Sequence, residues 1–258
     1  MKIQVLVATM HQTDHSLIEK MNICTSAIVG NQCDYNSVET FEHNNQTVTY
    51  YNFAERGVGL NRNNTLMRAK ADICLFADDD MVYVDNYVEI VERAFSDNPY
   101  ADVLIFNLIE KTPTRKLIKK KSKVGYLNYL RYGTARVAVR LDSVKKRGIY
   151  FNQCFGGGTE HCHGEDNLFL NTCLKNDLKI VAVPEYIAAL TEDRESSWNN
   201  GYDDKYIKDQ GVLFRTLSRK WWRPLCLQDA IRRSRSYKRS WYEAYRLMID
   251  AVIGKGEK

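Results

Sequence analysis

The sequence has no long hydrophobic run, no paired cysteines and no internal repeat. No apolar stretch approaches the roughly 20 residues that cross a bilayer. At the N-terminus a single lysine precedes a short apolar run, Ile3 to Ala8, and Met10-His11-Gln12-Thr13-Asp14 follows without a small-residue cleavage pattern. That start reads as a buried strand, not a signal peptide, and predicts a cytoplasmic protein. The 7 cysteines are odd in number and scattered, which argues against a disulfide framework. Cys154, His161, Cys162, His163 and Cys173 lack a Cys-x2-Cys knuckle, so no zinc site is expected. Cys24, Cys74 and Cys173 read instead as small buried hydrophobes, and His163, two residues before Glu165, could reach a site there but reads first as a surface histidine. Without repeats or a low-complexity linker, 258 residues suit one α/β domain with a terminal extension.

The charge that is present is unevenly placed. The net +5 conceals a basic end: Arg215 to Lys258 holds 12 basic and 4 acidic residues, the remainder 25 and 28. A second basic cluster, Lys111 to Lys123, has seven basic residues and no acidic one. Beyond Pro224, Tyr237, Trp241, Ala244, Tyr245, Met248 and Val252 recur at helical spacing among arginines and lysines. This predicts a basic amphipathic tail over 219–258. It could rest on an anionic membrane surface, with aromatics at the headgroups, or pack on its own domain with a solvated basic face. No nucleic-acid motif accompanies the charge, so nucleic acid is not an expected partner.

Alternating strands and helices run through the first half. Strands are expected at Lys2 to Ala8, Cys24 to Val29, Thr47 to Phe53, Asp72 to Ala77 and Asp102 to Leu108, with turns at Gly30-Asn31-Gln32 and Asn44-Asn45-Gln46. Helices are expected from Ser16 to Met21, from Gly57 to about Lys70 and from Val84 to Phe95. The second half offers a strand at Arg136 to Leu141, a helix from Gly164 to Leu174, and a strand at Lys179 to Val183 stopped by Pro184. The alternation predicts a mostly parallel sheet covered by helices.

Two acidic clusters carry the chemistry. Asp78-Asp79-Asp80 follows the apolar run Ile73 to Ala77, so three carboxylates stand at the mouth of a buried strand. Like charges so close raise one another's pKa unless a cation compensates. Hard oxygen ligands suit Mg2+ or Mn2+, ions that bridge to substrate phosphates. A solvated loop capping the next helix is the plainer alternative. The second cluster is Gly156-Gly157-Gly158 leading to Gly164-Glu165-Asp166-Asn167. Its glycines permit close backbone approach, and its acids sit in the first turn of a helix, where the dipole favours anions. A carboxylate held there could accept a proton from a sugar hydroxyl.

In order and spacing, these parts resemble the family 2 glycosyltransferases of the GT-A (Rossmann-like) fold. The resemblance runs from about Lys2 to about Arg215 and includes Ala8-Thr9, Gly59-Leu60-Asn61-Arg62-Asn63-Asn64, the acidic triplet and the glycine-rich approach to Glu165-Asp166. Glu195-Ser196-Ser197-Trp198 and the stretch from Asp204 to Phe214 look like the tail of bacterial polysaccharide-assembling members. The resemblance implies a glycosyltransferase domain over 1–218, with a nucleotide-binding half to about 110 and an acceptor half from 111. It implies inverting transfer from a nucleotide-sugar, a UDP-sugar by expectation, to a glycan or lipid-linked acceptor in surface polysaccharide synthesis.

The roles implied are these. Asp80 would hold the metal, with Asp78 sharing it or contacting the ribose, and Asp79 able to exchange with either. Thr9 would lie beside the base, Arg62 would approach base or phosphates, and Gly157 would line the nucleotide-sugar. Asn31 stands near where many members carry an acid, a departure from the family. Asp166 would be the general base, and Glu165 would position it or the acceptor. Many members place a histidine late in the domain, yet Thr191 to Trp198 contains none, so Glu192, Asp193 or water would take its place. Two other readings remain at this stage. A sugar-phosphate nucleotidyltransferase would need a glycine-rich basic loop after the first strand, which Thr9-Met10-His11-Gln12 does not supply. A non-catalytic peripheral membrane adaptor would leave both acidic clusters without purpose.

Overall fold

The computed structural model describes residues 1–112, 115–191 and 201–254. Its elements in chain order are β1 (Ile3–Met10), α1 (Leu17–Lys20), β2 (Ser26–Gln32), β3 (Ser37–His43), β4 (Gln46–Phe53), α2 (Val58–Arg68), β5 (Ile73–Asp78), β6 (Met81–Tyr83), α3 (Tyr87–Ser96), β7 (Val103–Ile109), β8 (Ser122–Val124), β9 (Val137–Arg140), α4 (Leu141–Lys146), α5 (Glu165–Lys175), β10 (Ile180–Leu190), α6 (Asp204–Leu217), α7 (Trp222–Tyr237) and α8 (Trp241–Ile253). The strands form one sheet in the order β3-β4-β2-β1-β5-β9-β7-β10-β6, with β8 on β10.

This is the expected α/β sheet between helical layers. Parallel pairing is confined to β4-β2-β1-β5 and to β7-β10. The antiparallel β9 joins the two blocks. Strands β1, β5 and β7 read as nearly continuous apolar runs because both faces are covered. One core layer packs Phe76, Phe151 and Phe169 beneath α2 and α5, and Phe151 stacks on Phe169 at 4.3 Å. The other layer packs Val5, Val29, Leu75 and Phe106 against α1 and α3.

Several local expectations are corrected. The turn expected at Gly30-Asn31-Gln32 is strand: β2 stays in register with both β1 and β4 through Gln32. Glycine is needed at 30 because a Cβ there would stand 2.4 Å from Oδ1 of Asn61. Strand β3 was not foreseen. It returns from β4 through Asn44 and Asn45, both with positive φ, as a tight hairpin requires. Pro184 does not stop the last strand. β10 carries it in an irregular stretch where the register with β7 shifts between Ala182 and Ala188. Asn107 Nδ2 donates to Pro184 O at 2.9 Å across the shift. Cys74 and Cys173 are buried as expected, and Cys24 is exposed.

The C-terminal segment forms two helices. Lys238 takes a left-handed conformation at the end of α7, and Ser240 opens α8 with a capping box to Glu243. Ala244 and Met248 are buried in the domain core. α8 lies so close to α6 that a Cβ on Gly211 would stand 2.3 Å from Met248 O. Among the described residues no helix is long and apolar enough to cross a membrane.

Candidate active site

The parallel strands bring the acidic triplet to the cleft. β1 has β2 on one side and β5 on the other, so the strand order reverses at β1, and ligands of open α/β sheets bind at the carboxyl ends of such strands. Thr9 and Asp78 end their strands there. A cleft of about 610 Å³ opens above them, lined among others by Thr9, Gln32, Arg62, Asp78, Asp79, Asp80, Gly157, Glu165 and Asp166. Every predicted site residue except Asn31 borders this space. Asn31 is fully buried: its Oδ1 accepts from Gln12 N, and its Nδ2 donates to Gln12 O and Asn52 Oδ1. It braces the turn after β1, and Gln32 lines the cleft in its place.

Arg62 ties the two acidic clusters together. It projects from α2, is 4% exposed, and lies over the Phe151 ring at 5.5 Å. Nη2 donates to Asp78 Oδ1 at 2.6 Å, and Nη1 to Glu165 Oε1 at 3.1 Å and Asp166 Oδ1 at 3.0 Å. One guanidinium thus joins Asp78 to two acids that lie more than a hundred positions beyond Arg62 in sequence. Burial works against its charge, but Asp78, Asp166 and Glu165 outweigh it and push its pKa up.

The carboxylates have different surroundings. Thr9 Oγ1 donates to Asp79 Oδ2 at 2.6 Å and accepts from Gln12 Nε2 at 3.0 Å. Asp80 has no ion-pair partner among the described residues, and burial, Asp78 and Asp79 push its carboxyl up. Its backbone carbonyl accepts from Thr191 N at 2.8 Å. Burial, reinforced by Asp166 and opposed by Arg62, pushes Glu165 up to about 7. Asp166 accepts on Oδ1 from Arg62 and Thr134, while Oδ2 makes no hydrogen bond among the described residues.

Glycine shapes this wall. Gly156, at φ 101°, lets the chain pass where a Cβ would lie 2.7 Å from Glu165 Cδ. Gly157 O accepts from Val58 N at 3.0 Å, joining the loop to the start of α2.

Asp80 could hold a hard cation, with Asp78 close in the chain but engaged by Arg62. Among the described residues no three His, Cys, Asp or Glu side chains converge on one point. A divalent ion would therefore draw its remaining ligands from water and from substrate phosphates, the way Mg2+ is commonly held. A half-buried carboxylate crowded by Asp78 and Asp79, with no ion-pair partner among the described residues, fits that role. The histidine substitutes considered at Glu192 and Asp193, and the Glu195-Ser196-Ser197-Trp198 stretch, lie outside the described residues.

Sequence reasoning missed two neighbours and set a third at the surface first. Thr134, in a short turn before β9, hydrogen-bonds Asp166. Gln12 holds Thr9. His163, expected at the surface, borders the cleft, stacks on Tyr206 at 4.0 Å and pairs with Gln210 Oε1 at 2.8 Å. A lone Thr or Gln in an irregular segment carries no sequence signal; His163, two positions before Glu165, had proximity alone to mark it.

Residues 34–151 match the family model described as glycosyl transferase family 2. None of the curated proteins matches the chain by sequence. Among solved structures, residues 1–349 of S. aureus TarS in complex with UDP-GlcNAc superpose with a TM-score of 0.65 at 14% identity, covering 98% of this chain and 92% of that one. The same fragment with UDP gives 0.62 at 16% identity, with the same coverage. A longer TarS structure gives 0.62 at 17% identity, and there the match covers 55% of that chain. The fold is therefore GT-A. Residues 34–151, less than half of the chain, are similar to glycosyl transferase family 2, and together with the fold this similarity supports a glycosyltransferase.

Proposed function

We propose that the chain transfers a sugar from a UDP-sugar to a glycan or lipid-linked acceptor of a bacterial surface polysaccharide, with inversion and with the help of Mg2+ or Mn2+. The observation that carries this reading is the cleft in which Arg62 joins Asp78 to Glu165 and Asp166 at the carboxyl ends of β1 and β5. The complexes of TarS with UDP-GlcNAc and UDP support a nucleotide-sugar in the equivalent space.

The division of labour follows from the surroundings. Thr9, Gln32 and Asp79 lie at the carboxyl ends of β1, β2 and β5, where a nucleotide would rest. Bound to Asp80, the cation would neutralise the diphosphate leaving group. Asp166 takes the proton from the acceptor hydroxyl as that oxygen attacks the anomeric carbon; the bond to the diphosphate breaks with its electron pair, and UDP departs. Arg62 and Thr134 fix one oxygen of Asp166, leaving the other for the proton. Glu165 shares Arg62 and so keeps Asp166 in place. A single displacement of this kind inverts the anomeric centre. Binding to an anionic membrane belongs to the same reading, with exposed Trp241 and Tyr242 on α8 as its contacts.

Titration calorimetry with UDP and Mn2+ tests the donor side. The wild-type chain is expected to bind UDP more tightly with Mn2+ than with a chelator, and Asp80→Ala is expected to lose that difference while staying folded. Equal affinity in wild type and variant would remove Asp80 from the metal site.

A further inference from the structure

A second, apolar groove adjoins the catalytic cleft. It has a volume of about 690 Å³ and runs between the loop after β8, the end of α6 and the start of α7. Its walls include Tyr126, Leu130, Leu217, Trp221, Pro224 and Leu225. This size and lining are those of a ligand pocket. Leu127 on the rim is 98% exposed, Tyr126 is 59% and Trp221 is 58%. A cluster of large exposed side chains around a concave apolar floor marks a binding surface, unlike scattered single ones.

We propose that this groove binds the hydrocarbon chain of an anionic lipid that carries the acceptor. The inference rests on the transferase reading above and names the acceptor class for the same site. Charge gives the first argument. The segments that build the groove, 115–131 and 215–228, contain eleven Lys or Arg and no Asp or Glu. Arg131, Lys220 and Arg223 are exposed and directly follow or precede the lining residues Leu130, Trp221 and Pro224, Lys220 lies over the Trp221 ring at 5.5 Å, and Lys175 stands in the wall, donating to Leu217 O at 3.3 Å. Such a rim suits a phosphate or diphosphate head.

Chemistry of the walls gives the second. The walls are mostly apolar, with Leu127, Leu130, Leu217, Pro224 and Leu225 beside the rings of Tyr126, Tyr129 and Trp221, and Ser218, Gln228 and Asn171 as the neutral hydroxyl and amide side chains. A glycan needs many hydrogen-bond partners; a hydrocarbon chain needs none. Continuity gives the third. Leu130 lines both the groove and the cleft. The next residues, Arg131, Tyr132 and Gly133, continue along the cleft wall, and a Cβ on Gly133 would stand 3.1 Å from Asp166 Oδ2. A chain lying in the groove would therefore present its head at Arg131 and its sugar hydroxyl towards Asp166.

The test is equilibrium binding of farnesyl phosphate to the full chain, with farnesol, inorganic phosphate and UDP as comparison ligands. Farnesyl phosphate is expected to bind, farnesol more weakly, and inorganic phosphate not measurably. Leu225→Glu and Trp221→Ala are expected to weaken farnesyl phosphate roughly tenfold or more, while UDP binding is unchanged. Trp221 is exposed, so its variant remains informative should Leu225→Glu fail to fold. Four results would overturn the proposal: no binding of farnesyl phosphate; unchanged binding in Trp221→Ala; displacement of farnesyl phosphate by UDP, which would put its head in the donor cleft; or pelleting on anionic vesicles that is lost in the same variants while farnesyl phosphate does not bind, which would make the occupant a bilayer surface. UDP binding is measured separately, so its absence counts against the transferase reading and not against the groove.

Discussion

A guanidinium at 4% exposure shared by three carboxylates is expensive to assemble, because each charge loses water. Removing it would leave Asp78, Glu165 and Asp166 crowded without compensation. Arg62→Met is therefore expected to lower unfolding free energy by about 3–5 kcal/mol in denaturant titration; a loss under about 1 kcal/mol would show that the carboxylates reorganise at little cost. Glu165 offers a pH test. Its carboxyl is raised from 4.5 to about 7, chiefly by burial. Between those values the folded chain holds a proton that the unfolded chain releases. The cost of ionising Glu165 is thus absent below about pH 4.5 and complete above about pH 7, and stability falls across that window. Glu165→Gln should remove this fall, so the variant gains on the wild type with rising pH, by on the order of 3 kcal/mol at most. Parallel stability curves for the two proteins would contradict the assignment.

At the scale of elements, α6 joins the loop carrying His161 and Cys162 to the C-terminal helices. Its Asp209 accepts from His161 Nδ1 at 2.9 Å, from Cys162 N at 2.9 Å and from Lys205 Nζ at 2.6 Å. Burial pushes the carboxyl up, but these hydrogen bonds outweigh it and hold the group down at about 2. Asp209→Ala would strand a buried His161 and a backbone N–H, and should cost about 2–4 kcal/mol in thermal or denaturant unfolding. On the opposite side, Gly211→Ala meets the α8 backbone and should destabilise by about 1–3 kcal/mol, since neither helix can shift alone. An unchanged melting temperature in that variant would mean that α8 docks loosely.

These elements also show what was legible beforehand. The strand before Asp78 and the helices after Gly57 and Gly164 announced themselves by apolar runs and glycine punctuation. β3 did not, because its exposed alternation of Glu39, Thr40 and Glu42 resembles a polar loop. Pro184 pointed to a strand end, whereas tertiary pairing with β7 carried the strand past it. The two acidic clusters were visible as residues; their junction through Arg62 was not, since nothing local in sequence records a contact across a hundred positions. The tail's periodicity fits either a membrane-facing helix or one packed on its own domain, and the burial of Ala244 and Met248 shows that part of the stripe faces the domain.

At the scale of the molecule, a half built mainly on the parallel strands β4, β2, β1 and β5 meets a less regular half that supplies Glu165, Asp166 and the apolar groove. In the proposed reaction this junction transfers sugar from a UDP-sugar with Asp166 as base. The most direct measurement is the rate of transfer from a panel of UDP-sugars to a surface-glycan acceptor in the presence of Mn2+, for wild type and Asp166→Asn, with UDP affinity recorded for both. The account predicts turnover by the wild type with an inverted product anomer, UDP affinity unchanged in the variant, and a rate lower by about 10²–10⁴. Asp166→Asn turning over near the wild-type rate, or a product that retains the donor configuration, would contradict it.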